Sequence, residues 1–186
     1  MCLQQSHRQR YAALGHRGPG GHLMRADNDV FFYTTFGGEM LSLAAAKATL
    51  DELVAKQVPT YLHKIGGQLQ EGYNAIAKDL DLEWTNCIGY PCRTMVTFDA
   101  SAGDPLVLKA LMQQEMLRQG ILFSGFHNVS FSHTEEEILY TLQAYRNALE
   151  ALKDYVDSGD PDKHLRGEPL QPVFRRTENF DLKPRG

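Results

Sequence analysis

Apolar residues recur three and four positions apart along two stretches of the chain, and each stretch predicts a helix that packs by one side. In the first, Leu62, Ile65, Leu69, Tyr73, Ile76 and Leu80 keep this spacing. Pro59 suits its first turn, where a missing N–H leaves nothing unpaired. Gly66, Gly67 and Gly72 weaken this helix without breaking it. In the second, Ile138, Leu142, Tyr145, Leu149, Leu152 and Val156 repeat at fours and threes. Thr134, with Glu137 three residues on, is a capping-box pattern that opens it, and Ser158-Gly159-Asp160-Pro161 closes it. A third helix, from Glu39 to about Ala55, is rich in small residues, with Leu41, Ala44, Ala45 and Ala48 on one face. A fourth runs from Pro105 to Gln119 and ends at Gly120.

Between these lie short apolar and β-branched runs that predict strands. They are Val30 to Tyr33, Leu82 to Tyr90, Arg93 to Phe98, Ile121 to Phe123 and Asn128 to Phe131. From residue 82 to 157 the order is strand, strand, helix, strand, strand, helix. This predicts an α+β layer in which helices cover a largely antiparallel sheet. The polar remainder, with Pro169, Pro172 and Pro184, reads as an extended tail.

Composition narrows the functional classes. A formal charge of -4 over 186 residues gives no basis for nucleic acid or an acidic membrane as partner. No run is apolar enough to span a bilayer. Cys2, Cys87 and Cys92 are odd in number and lack the paired spacing of a disulfide scaffold or a zinc site, so a reducing, cytoplasmic setting is expected and no metal.

The strongest chemical pattern is Phe31-Phe32-Tyr33-Thr34-Thr35-Phe36-Gly37-Gly38-Glu39, a strand, a Thr and Gly turn, then a helix. Glycines let backbone N–H groups approach an anion closely, so this layout suits a phosphate; most such turns are only turns. Arg93 can grip a carboxylate bidentately, against the plainer reading of a surface arginine. Histidine is the side chain suited to proton transfer near neutrality, yet no acid or nucleophile is spaced to work with His127 or His133, which favours structural roles. Trp84 reads as core.

Phe32 to Ala46, F-Y-T-T-F-G-G-E-M-L-S-L-A-A-A, resembles the F-S-G-T-F-G-G-E-x-L-S-L-A-A-A stretch of class-III pyridoxal-phosphate aminotransferases of the glutamate-1-semialdehyde aminomutase kind. Gly89 to Arg93 resembles their G-x-P-x-R element. Gln114-Glu115-Met116 with Arg118 and Gly120-Ile121-Leu122 resembles Q-E-M-x-x-R-G-V-L, and His127 to Ser130 with His133 resembles H-N-x-S and its following histidine. The resemblance runs from Leu23 to about Phe174 and implies the C-terminal part of a fold-type I enzyme, α/β overall and α+β in its small domain. It further implies a homodimer with pyridoxal 5'-phosphate as cofactor. Such an enzyme moves an amino group on an amino acid or amino-aldehyde through a lysine aldimine. Thr35 would bind the cofactor phosphate held in the neighbouring subunit, although Tyr33-Thr34 stands where the family has a small Ser-Gly. Residues 23–58 would end the large cofactor-binding domain and connect it onward, 59–174 would form the small domain, and 175–186 a tail. The alternative is a non-catalytic dimerisation or binding domain derived from that family.

Residues 1–22 fit none of this. They hold no acid, carry Arg8, Arg10 and Arg17, and include Gly18-Pro19-Gly20-Gly21. A disordered basic tail and a transit peptide are two readings. The third comes from the genetic code. With permitted codons for Cys2 to Gly21, reading one base later makes A-C-N-K-A-I-G-N-G-M-P-L-S-A-I-V-G-R-A-D accessible, which resembles the family's cofactor-lysine segment. The preferred expectation is an out-of-frame translation. The cofactor lysine would then be absent from this chain and the fragment itself inactive.

Overall fold

A computed structural model describes residues 39–167 and Leu170. The N-terminal stretch, the expected strand at Val30 to Tyr33, Thr35 and the 175–186 tail lie outside the described residues. The chain divides into two units, residues 1–59 and 60–186.

In the first unit, α1 spans Met40–Ala55. The Glu39 carboxylate opens it by accepting from the backbone N–H groups of Leu41, at 2.8 Å, and Ser42. The Ser42 hydroxyl and these two backbone bonds favour the charged form and hold the Glu39 carboxyl below its ordinary range. The helix persists on the intrinsic preference of its alanines and leucines, because none of its residues is buried. Leu41, Ala44, Ala45 and Ala48 are all exposed.

The second unit takes up α2, Val58–Asp79, from Thr60 onward. The chain leaves this helix through Asp81, whose φ is 57°. The Leu82 N–H reaches the Ala77 carbonyl at 2.9 Å and the Asp81 N–H the Lys78 carbonyl at 3.1 Å. This is the Schellman arrangement with aspartate in the left-handed position. Leu82 is thus claimed by the helix end, and β1 starts only at Thr85, running Thr85–Tyr90. It pairs antiparallel with β2, Arg93–Phe98, with Tyr90 opposite Arg93 across the turn.

Next come a short 3₁₀ turn, Ala100–Ala102, and α3, Pro105–Arg118, capped by the Asp104 side chain. Gly120, with φ 77°, ends α3: its N–H bonds the Leu117 carbonyl at 3.0 Å, and the Ile121 N–H bonds Met116 at 3.0 Å. Finally α4, Glu135–Asp157, opens on the full capping box of Thr134 and Glu137. A 3₁₀ turn, Pro161–His164, follows it.

The expected strands at Ile121 to Phe123 and Asn128 to Phe131 do not form as drawn. Ile121 spends its N–H on the helix cap, and Gly125 turns the chain at φ 102°. An extended segment at 125–129 runs beside β2 in their place. The bonds are Val96 N–H to Gly125 O at 3.0 Å, His127 N–H to Thr94 O at 2.8 Å and Val129 N–H to Cys92 O at 3.0 Å. Met95 bridges Phe126 antiparallel within this run.

Alternation along the strands sends Cys87, Thr94 and Val96 inward and Ile88, Met95 and Arg93 outward. The inward face meets Ile65, Leu69 and Tyr73 of α2, Leu111, Met112 and Met116 of α3, and Tyr145, Leu149 and Leu152 of α4 in one core. The free edge of β1 is closed by side chains of α2. Asn74 accepts the Cys87 N–H at 2.7 Å and donates to its carbonyl at 3.0 Å, and Gln70 donates to the carbonyls of Cys87 and Gly89 at 3.2 Å each.

Candidate functional site

The outward face of the sheet gathers the chemistry that the described residues offer. The pairing puts Ile88 opposite Met95, and Met95 opposite Phe126, so three large apolar residues form one row across the strands. The next row is Tyr90, Arg93 and Asn128: Tyr90 pairs with Arg93, and Asn128 follows by the same register as His127 with Thr94. Arg93 is fixed from two sides. Its Nη1 donates to Asn128 Oδ1 at 2.6 Å, and its guanidinium carbon lies 5.1 Å from the centre of the Phe126 ring. One of five N–H groups is thereby used, and the rest remain for an anion. His63 lies edge-on to Tyr90 at 5.8 Å between ring centres, at the end of this row.

Arg93 was identifiable from residue type and from the G-x-P-x-R resemblance. Its partners were not, because Asn128 is 35 residues away. The nearest signal was the H-N-x-S element that contains it.

His127 lies on the other side of the sheet, in the core. Its Nδ1 meets the Thr94 hydroxyl at 2.7 Å and its Nε2 meets the Tyr145 hydroxyl. Burial, which penalises the charged ring, pushes its pKa down to about 4. Cys87 is buried beside it, with Sγ 4.0 Å from Nδ1, and burial raises the thiol pKa. That combination describes an inert core thiol. His133 closes the loop before α4: its Nδ1 accepts the Ser130 N–H at 2.9 Å, and its carbonyl accepts from Tyr61 at 2.8 Å. Trp84 stacks on Phe98 against the core. Glu115, which is buried, holds Arg118 at 2.7 Å and Tyr155 at 3.0 Å and ties α3 to α4.

No group of three or more His, Cys, Asp or Glu side chains among the described residues is arranged to hold a metal. No helix among them is long and apolar enough to cross a membrane. Lys47, Lys56, Lys64 and Lys163 are ion-paired at the surface with Asp51, Glu52, Glu135 and Asp160, and Lys153 donates to the Leu80 carbonyl at 2.8 Å.

No family profile matches the sequence. Individual relatives do. Over 157 residues the chain is 27% identical to glutamate-1-semialdehyde 2,1-aminomutase of Halorubrum lacusprofundi, covering 65% of this chain and 35% of that protein. Over 136 residues it is 32% identical to glutamate-1-semialdehyde 2,1-aminomutase 2 of Halalkalibacterium halodurans, covering 64% and 30%. The chain therefore spans about a third of the length of the curated relatives it matches. Among solved structures, the FumI protein of Sphingopyxis sp. MTA144, in its PLP internal aldimine form, superposes with a TM-score of 0.62 at 24% identity, covering 77% of this chain and 34% of that one. At that identity the likeness establishes the fold. Together these likenesses show a chain similar in sequence to the C-terminal part of glutamate-1-semialdehyde 2,1-aminomutases and similar in fold to a solved structure that carries pyridoxal phosphate.

Proposed function

We propose that the intact protein is a pyridoxal-phosphate-dependent aminotransferase or aminomutase. It would move an amino group on an amino acid or amino-aldehyde as a cytoplasmic homodimer. The observation that carries this reading is the sustained match to aminomutases, joined to the same fold in a cofactor-bearing relative. In this reading residues 23–58 end the large domain and residues 59–174 are the small one. Thr35, outside the described residues, hydrogen-bonds the cofactor phosphate of the neighbouring subunit. Arg93 anchors a substrate carboxylate, which its exposed guanidinium, steadied by Asn128 and Phe126, is suited to do.

The described residues do not fit the cofactor itself. Every lysine named above is engaged at the surface or on a carbonyl. One threonine hydroxyl and a few backbone N–H groups contribute a few kcal/mol at about 1 kcal/mol each, too little to offset the cost of immobilising a ligand. We therefore assign amino-group chemistry to the intact protein and none to this chain alone. The same surface lysines favour a second reading, in which the chain is a non-catalytic dimerisation or binding domain.

The test is to incubate the purified chain with pyridoxal phosphate, reduce with borohydride and map the peptides by mass. No stoichiometric pyridoxyl adduct is expected. An adduct on one lysine, with amino transfer to a keto acid, would overturn the assignment of an inactive chain. An in-frame chain extended upstream should be yellow and active, and a colourless, inactive product would overturn the enzyme reading itself.

A further inference from the structure

We propose that the outward face of the sheet, with Arg93 beside the Ile88–Met95–Phe126 row, binds a monocarboxylate carried on an apolar or aromatic body in preference to a dicarboxylate. This rests on the reading of Arg93 as a carboxylate anchor and adds the class of molecule it accepts. Three observations lead there.

First, the apolar row is open. Ile88 is 43% exposed, Met95 48% and Phe126 40%, on a face whose opposite side is core. Large apolar side chains in one contiguous strip mark a surface that gains by being covered. Second, the row adjoins the anion anchor directly. Phe126 belongs to the apolar row and also lies under the Arg93 guanidinium, so a carboxylate on Arg93 has its carbon body directed along Phe126, Met95 and Ile88. Third, no other arginine or lysine stands in these two rows. Their remaining members, Tyr90 and Asn128, are uncharged. A second carboxylate laid along the strip would therefore lose hydration without gaining a cation.

The anchor is also held in position. Asn128 takes one N–H of Nη1, and the ring of Phe126 restricts the guanidinium plane. An arginine so constrained gives up less freedom on binding than a mobile one. Asn128 and Phe126 are accordingly positioning residues.

The experiment is a titration of the isotope-labelled chain, followed by NMR, with three carboxylates: acetate, glutarate and 4-phenylbutyrate. 4-Phenylbutyrate should bind about tenfold more tightly than acetate, as expected for a covered ring, and should shift the signals of Ile88, Met95 and Phe126. Glutarate should bind no better than acetate. Arg93→Met should weaken 4-phenylbutyrate binding by about tenfold or more, the worth of a charged hydrogen-bonded contact, while Arg93→Lys should recover only part of it. Asn128→Ala should weaken binding less than Arg93→Met. Met95→Thr, a strand-compatible change on the open face, should lower affinity for 4-phenylbutyrate and leave acetate unchanged. Retained dispersion of the core signals shows that each variant is folded. If all three ligands bind equally through Arg93, the selectivity proposed here is wrong and the anchor reading stands. If Arg93→Met changes nothing, both fall.

Discussion

A proton added to His127 has nowhere favourable to go. The neutral ring can accept from one hydroxyl and donate to the other; the charged ring must donate to both Thr94 and Tyr145, which displaces the one hydroxyl proton that the neutral ring accepted. The folded pKa of about 4 lies below the ordinary histidine value of 6.5. Between those values the unfolded chain binds the proton better, so stability falls as pH drops from 6.5 toward 4 and is unaffected by this group above 6.5. The loss is on the order of 2–3 kcal/mol by about pH 4.5. Urea unfolding at pH 7 and pH 4.5 should show this drop in the native chain and a smaller one in His127→Gln; equal drops would remove His127 as the cause. The sequence displayed the histidine but not this environment. Thr94 and Tyr145 are 33 and 18 residues away from it, and only the folded sheet and α4 bring them together. The same holds for Glu115, whose burial between Arg118 and Tyr155 depends on α3 meeting α4.

Helices were legible where a local rule set both the body and the ends. The four-and-three repeat marked α2 and α4, and Thr134 with Glu137 marked the start of α4 within a residue. Strands were less so. Three apolar residues after Gly120 look the same whether they enter a ladder or complete a helix cap, and the Met116 carbonyl decides for the cap. Adjacent glycines in α2 show how far propensity reaches. A Cβ on Gly66 would sit 1.9 Å from the Pro91 carbonyl oxygen, whereas one on Gly67 would meet nothing within 4 Å. Gly66→Ala should therefore destabilise by about 1–3 kcal/mol, as overpacking does, because the hairpin turn must move. Gly67→Ala should stabilise by up to about 1 kcal/mol through helix propensity alone. Denaturant midpoints of the two variants should shift in opposite directions, and a shared direction would mean that α2 does not approach the turn as described.

At the scale of the whole molecule, apolar surface is left open in each unit. Met40, Leu41, Leu50 and Val54 are exposed on α1, and the strip of Ile88, Met95 and Phe126 is exposed on the sheet. The curated relatives are about three times as long as the matched region, so the exposed face of α1 has ample chain to cover it there. In this chain they should promote association. Light scattering should show mass rising with concentration, together with binding of an apolar dye; a clean monomer without dye binding would contradict it. Association should not proceed by adding a strand to β1, however, because Asn74 and Gln70 already occupy that edge. This edge closure also sets how amide protons exchange with deuterated water. The Cys87 N–H is released only when α2 lifts from the hairpin, while the Val96 N–H is released when the 125–129 segment parts from β2. Two backbone sites, facing each other across one ladder, thus report separate openings of the molecule.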